Sequence, residues 1–217
     1  MEYFYNDHNA GIVMDIITAI QFNKAYLSDI DGQIGDGDHG INMNKGFTMA
    51  GERISASQSF TTAMKILGDT LLLEVGGSMG PIYGTFFRKC AFAVKDVSEI
   101  NADSFSQMLE SALEGVKDIG GAKIGDKTLI DTMEPATVAF KREWDISKEF
   151  RKALKVATVA AETGKESTRD MIARIGRAAR LGERSLGVLD AGATSCYIIL
   201  KAMFESCLLY TSPSPRD

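Results

Sequence analysis

Apolar residues recur three and four positions apart along almost the whole 217-residue chain, and this spacing constrains the fold more than any other feature. The first such stripe consists of Ile12, Val13, Ile16, Ile17, Ile20 and Leu27. This spacing is typical of amphipathic α-helices, and no segment shows the alternation of a half-buried strand. The helical stretches are joined by short connections. We therefore predict an all-α domain, an up-and-down bundle of eight or nine antiparallel helices.

Composition excludes several classes of protein. The chain has 24 basic and 29 acidic residues, a net charge of −5, which argues against a nucleic-acid binder. No apolar run approaches the roughly 18 residues of a membrane span, and the first residues lack the pattern of a secretion signal. The cysteines are three in number and widely spaced, which favours reduced thiols and a cytoplasmic protein with no membrane partner.

The last ten residues differ from the rest. Residues 208–217 are rich in Ser and Pro and are predicted not to continue a helix. We expect this tail to be disordered and non-native, because it resembles translated vector sequence. The predicted domain is therefore 1–207.

The chain has 21 glycines and only 4 prolines, and the glycines gather between the helical stretches. They form four clusters, at 31–40, 76–81, 120–128 and 182–194. Alternate loops of an antiparallel bundle lie at the same end. We therefore expect several of these clusters to meet at one rim of the bundle.

The first cluster places Asp31, Asp36 and Asp38 within eight residues, next to His39. Carboxylates this close repel one another unless a cation lies among them, and oxygen ligands suit Mg²⁺ or Ca²⁺. The glutamate that an EF-hand requires is missing, and an incomplete protein shell is typical of Mg²⁺ shared with a nucleotide. A solvated turn is the alternative, but the three carboxylates with a histidine favour a site.

The other clusters are weaker signals. Residues 76–81 precede a predicted helix start, where free N–H groups attract phosphate. Lys127 and Thr128 do not complete a Walker A motif, because Asp126 separates the lysine from Gly125, and Lys127 could equally be a solvated surface lysine. A capping box at 167–170 predicts a helix that would carry a run of arginines. Those arginines could meet an anion or face solvent.

Four motifs, in order, carry a resemblance to a known family. They are Asp31-Gly-Gln-Ile-Gly-Asp-Gly-Asp-His-Gly, Gly76-Gly-Ser-Met-Gly-Pro, Gly125-Asp-Lys-Thr, and Asp190-Ala-Gly-Ala-Thr-Ser. Together they resemble the L subunit of dihydroxyacetone kinases, over about residues 5–206. The resemblance implies a barrel of eight antiparallel amphipathic helices, with a nucleotide bound by the loops at one end.

The resemblance also implies the site residues. Asp31, Asp36 and Asp38 would hold two Mg²⁺ ions against the phosphates of ADP or ATP. The matched nucleotide positions are His39, Gly40, Ile41, Asn42, Ser78, Met79, Gly121, Met133, Arg177, Asp190, Ala191 and Gly192. No nucleophile of this chain is implied, since metal-assisted transfer needs only positioning and charge neutralisation.

Some members of this family are separate subunits rather than parts of a fused kinase. For a separate subunit, the resemblance implies that bound ADP is phosphorylated by a phosphocarrier M subunit of the phosphoenolpyruvate phosphotransferase system. The γ-phosphoryl group then passes to dihydroxyacetone on a K subunit, and a homodimer is a further possible assembly. Met79 and Ala191 stand where family members often have Ser and Pro. An ATP-dependent kinase for another small ketose or polyol, or a non-catalytic nucleotide-binding regulator, therefore remains an alternative.

Overall fold

The computed structural model describes residues 2–211, and within them nine α-helices make up most of the fold. Their bounds are α1 Ala10–Phe22, α2 Lys24–Ile34, α3 His39–Gly51, α4 Phe60–Glu74, α5 Met79–Ala93, α6 Ala102–Gly120, α7 Ile130–Ser147, α8 Phe150–Ser167 and α9 Ala191–Tyr210. Two 3₁₀ segments, Thr168–Asp170 and Ala178–Ser185, lie between α8 and α9. The all-α prediction is confirmed.

Eight of the helices form a closed ring. Following the chain from α3 to α9, each helix packs against the next, and α9 packs against α1, which in turn packs against α3. The remaining helix, α2, lies beside α3 and α9. α4 and α5 run antiparallel: the hydroxyl of Thr61 near the start of α4 donates to the carbonyl of Val94 just after α5, at 3.3 Å.

Aromatic rings fill the centre of the barrel. Phe105 contacts four other rings, those of Phe4, Phe140, Phe150 and Phe204, with centroids 5.3 to 6.4 Å apart. All five side chains are fully buried. Burial of each such side chain contributes about 1.5–3 kcal/mol, so these rings anchor helices from both halves of the chain.

The structure corrects several sequence expectations. The first apolar stripe is divided at Asn23 into α1 and α2, and residues 2–211 hold nine α-helices, within the eight or nine predicted from the spacing, whereas the resemblance implied eight. Two three-residue strands, Tyr3–Tyr5 (β1) and Glu99–Asn101 (β2), pair antiparallel, where no strand was expected. The predicted capping box at 167–170 is wrong: Ser167 ends α8, its side chain makes no cap hydrogen bond, and only the short 3₁₀ turn Thr168–Asp170 follows.

The predicted tail boundary also falls inside a helix. α9 continues to Tyr210, and Thr211 caps it with a buried side chain. Residues 208–211 are therefore part of the folded bundle. The rest of the predicted tail, residues 212–217, lies outside the described residues.

α9 is long and apolar enough to span a membrane by length and composition alone. However, 67% of its apolar window is buried inside the bundle. That burial is typical of the core helix of a globular protein, and it accounts for the helix's composition without a membrane.

Candidate functional site

All four glycine clusters border one cavity of about 800 Å³. Its walls come from the α2–α3 loop, the start of α5, the α6–α7 loop and the segment before α9. The expectation that these loops meet at one rim is confirmed. In a barrel of alternating helices, every second connection lies at the same end, so loops far apart in sequence can share a site.

Three carboxylates stand at this cavity. One oxygen from each of Asp31, Asp36 and Asp38 lies within 4.8 Å of the other two. Glycines permit this approach: Gly37 has φ +75°, and a Cβ at Gly35 would overlap the carboxylate of Asp31. The guanidinium of Arg177 forms an ion pair with Asp36 and lies 3.8 Å from Asp38.

A buried polar chain runs from His39 into the barrel. The Nε2 atom of His39 lies 2.9 Å from the hydroxyl of Ser195, which is 2.6 Å from the hydroxyl of Tyr83. Burial lowers the pKa of His39 to about 4, against the opposing effect of Asp31. The imidazole is therefore neutral at pH 7, and Ser195 orients the ring rather than balancing a charge.

The α6–α7 loop is held by acidic side chains. Asp131 accepts hydrogen bonds from the backbone N–H groups of Gly125 at 2.6 Å and of Thr128 at 2.8 Å. The carboxylate of Asp126 accepts from the backbone N–H of Lys123 at 2.9 Å. The loop thus has a fixed shape, even though it lacks helix or strand.

Asp190 caps α9 at the cavity wall, and its Oδ2 accepts from the backbone N–H of Ala193 at 2.7 Å. Burial raises the pKa of Asp190 to about 6, with smaller raising effects from Asp131 and Asp31. The cap bond and the charge of Lys127 act in the opposite direction. At neutral pH the Asp190 carboxylate is therefore ionised in a buried position, which lowers the stability of the folded protein.

In metal-free protein, Asp190→Asn is expected to raise the free energy of unfolding above about pH 6, with no gain near pH 4. The folded-state pKa lies above the unfolded value of 3.8, so stability is lost as pH rises from about 4 to about 6. The shift corresponds to about 3 kcal/mol, and exposure to the open cavity reduces this to roughly 1–2 kcal/mol. Asn retains the helix cap.

Denaturant unfolding near pH 4 and near pH 8 measures this difference. Asp29→Asn, on the exposed side of α2, is the control and should leave the pH dependence unchanged. An equal effect of Asp190→Asn at both pH values would contradict the assignment of the raised pKa.

Most of the predicted site residues border the cavity. Besides the three aspartates, they are His39, Asn42, Ser78, Met79, Arg177, Asp190, Ala191 and Gly192. Both positions that depart from the family pattern are among them: Met79 begins α5 and Ala191 begins α9. Their roles in binding stay predictions.

Four predicted positions are not among the residues that line the cavity. Gly40 lies at the α2–α3 contact, where a Cβ would overlap the carbonyl oxygen of Lys24. Ile41 points outward and is 53% exposed, whereas Met133 is fully buried in the core. Gly121, in the left-handed conformation at φ +64°, ends α6. Gly40 and Gly121 thus shape the backbone, and Met133 is part of the hydrophobic core.

Sequence reasoning missed an apolar wall and a buried lysine. The apolar wall is formed by Val116, Ile119, Ala122, Leu129 and Ile130. These residues lie in and around the third glycine cluster. The apolar stripe of α6 runs up to that cluster, and its last residues were the sequence signal that could have identified the wall. Lys127 is 1% exposed, which contradicts the alternative of a solvated surface lysine.

Comparison with known proteins agrees with this geometry. Residues 33–205 match the family model described as the DAK2 domain. The ADP-binding subunit DhaL of PEP-dependent dihydroxyacetone kinase 2 from Listeria innocua is 35% identical, over 90% of this chain and 92% of its own length. The corresponding DhaL subunit from Escherichia coli is 38% identical, over 82% of this chain and 86% of its own length.

A solved structure of a dihydroxyacetone kinase also resembles this chain. The dihydroxyacetone kinase from C. freundii in complex with AMP-PNP and Mg²⁺ matches with a TM-score of 0.68 and 25% identity. The match covers 91% of this chain and 33% of the larger enzyme. The chain belongs to the DAK2 domain family, in the group of DhaL subunits of dihydroxyacetone kinases. The predicted resemblance and the predicted enzyme class, a phosphotransferase, are confirmed.

Proposed function

We propose that this chain is the subunit of a dihydroxyacetone kinase that binds ADP or ATP together with Mg²⁺. The observation that carries the proposal is the group of three carboxylates, within 4.8 Å of one another, beside a cavity of about 800 Å³. The names of the DhaL relatives, and the AMP-PNP and Mg²⁺ bound by the C. freundii enzyme, support the same ligand.

The donor set fits magnesium. Asp31, Asp36 and Asp38 offer only hard oxygen ligands, which Mg²⁺ prefers, and they leave room for water and phosphate in the shell. These three residues would hold the metal, two ions by the family resemblance. The bound metal supplies charge neutralisation for the phosphoryl group that is transferred.

Different parts of the cavity wall suit different parts of a nucleotide. The apolar residues from α6 to α7, such as Ile119 and Leu129, suit the faces of a purine base. The start of α5 at Met79 presents backbone N–H groups of the kind that bind phosphate. Arg177, which pairs with Asp36 beside the cavity, would contact phosphate oxygens.

The chain's own part in the reaction is positioning. We propose that ADP stays in the cavity and receives a phosphoryl group from a phosphocarrier M subunit. The γ-phosphoryl of the resulting ATP then passes to dihydroxyacetone on the K subunit. Both exchanges take place at the rim, where the loops of the barrel border the cavity. Three buried free thiols suit a reducing, cytoplasmic compartment.

Calorimetry with ADP and Mg²⁺ tests the binding step, and native mass spectrometry tests for ADP that co-purifies. Turnover is then measured with a K-type subunit and dihydroxyacetone, with phosphorylated phosphocarrier or with ATP alone. We expect binding that requires Mg²⁺, and turnover only with the phosphocarrier. Turnover with ATP alone would favour the ATP-dependent alternative, and no binding of ADP would overturn the proposal.

A further inference from the structure

Residues 168–190 form a segment, here called the strap, that leaves α8, passes the cavity and returns to α9. Arg177 lies near its middle and reaches the carboxylates. The two limbs of the strap are joined by three hydrogen bonds, from Asp190 N to Thr168 Oγ1 at 3.1 Å, from Gly187 N to Arg169 O at 2.8 Å and from Ala173 N to Ser185 Oγ at 2.9 Å.

The buried ammonium of Lys127 lies between these limbs. Its Nζ atom donates to the carbonyl oxygens of Thr168 at 2.6 Å and Met171 at 3.2 Å, on the outgoing limb. On the returning limb it donates to Ser185 at 2.7 Å and Val188 at 2.5 Å. Since an ammonium has three N–H donors, these four carbonyls account for its whole hydrogen-bonding capacity.

The local backbone is arranged to direct this side chain inward. Lys127 has φ +62°, a conformation that costs a residue other than glycine on the order of 1 kcal/mol or more. Asp131 stabilises it by accepting the N–H groups of Gly125 and Thr128, on either side. Lys127 borders the cavity, but its ammonium donates to carbonyl oxygens of the strap, which leaves it no N–H group for a phosphate.

We infer that Lys127 is a positioning residue: by holding both limbs of the strap, it fixes Arg177 beside the carboxylates and thereby sets the affinity for Mg²⁺-nucleotide. The inference rests on the proposed function for its ligand. Its structural part, the hold of Lys127 on the strap, is independent of any ligand. The two parts can therefore fail separately.

The test is a double-mutant cycle with Lys127→Met and Arg177→Ala. Met keeps most of the apolar stem and removes the ammonium. We expect Lys127→Met to weaken Mg²⁺-ADP binding roughly tenfold, as for one lost charge-assisted contact. If Lys127 acts through Arg177, the double variant should bind as Arg177→Ala does, without further loss. Trypsin should cleave after the strap arginines at least about tenfold faster in Lys127→Met, because the limbs are no longer held together.

Lys165→Met is the control, because Lys165 is also buried but bonds to Glu166 rather than to the strap carbonyls. It should leave strap cleavage and ADP affinity unchanged. Additive losses in the cycle, or wild-type cleavage of the strap in Lys127→Met, would overturn the inference. If Lys127→Met does not fold, Ser185→Ala loosens the same limbs and takes its place in the cycle. Failure of the wild type to bind ADP would overturn the proposed function alone, and strap cleavage would still decide the role of Lys127.

Discussion

Asp36→Asn is expected to weaken the binding of Mg²⁺-ADP by roughly 10- to 100-fold, since a charge-assisted contact contributes about 1.5–3 kcal/mol. The substitution keeps the shape of the side chain and removes one of three charges that converge within 4.8 Å. Ligand charge sets cation affinity, so the loss should be largest when Mg²⁺ is scarce. Calorimetry over a series of Mg²⁺ concentrations measures it.

Asp36 also forms an ion pair with Arg177, so two causes must be separated. Arg177→Ala should weaken ADP binding to a similar degree at every Mg²⁺ concentration, whereas excess Mg²⁺ should partly restore binding by Asp36→Asn. Asp29→Asn, on the preceding helix α2 and outside the carboxylate group, is the matched control. Equal affinity in Asp36→Asn and the wild type would exclude a metal site at these carboxylates.

Local patterns in the sequence predicted most of the fold. Apolar stripes report burial directly, and helix caps are equally local: the side chains of Ser59 before α4 and Asp190 before α9 accept hydrogen bonds within one turn. The break at Asn23 was missed because the apolar stripe continues past it to Leu27, although the Asn23 side chain donates to the Ala19 carbonyl where α1 ends. β1 and β2 were missed because three-residue strands are too short for a period to show.

The candidate site was predictable where its chemistry is local in sequence. Asp31, near the end of α2, and Asp36 and Asp38, in the loop that follows, lie within eight residues, so their convergence could be predicted from spacing and glycine content. The role of Lys127 could not be predicted in this way, because its carbonyl partners are backbone groups 41 to 61 residues away, and backbone groups carry no side-chain signature. The apolar wall was likewise hidden, since cavity-lining and core-lining residues look the same in a stripe.

Gly164→Ala is expected to destabilise the protein by roughly 2 kcal/mol, which lowers the melting temperature by about 4–8 °C. A Cβ at Gly164, in α8, would overlap the carbonyl oxygen of Asp131 and lie 3.1 Å from the Cα of Thr132. These are backbone atoms of α7 and cannot rotate aside. Pro135 lacks the N–H that would otherwise bond to the Asp131 carbonyl, so α8 approaches α7 at a carbonyl without its usual partner four residues on.

The same substitution should weaken ADP binding, because α7 would carry the carboxylate of Asp131 with it. That carboxylate fixes Gly125 and Thr128 in the loop beside the cavity. Gly51→Ala, at the end of α3, is the control: its Cβ would meet Ile17 at an ordinary 3.5 Å, so stability should be unchanged or higher. Differential scanning calorimetry and ADP titration of both variants measure the two effects. Gly164→Ala with wild-type melting would show that α8 can move away from Asp131 without cost, and that the close contact does not position the loop.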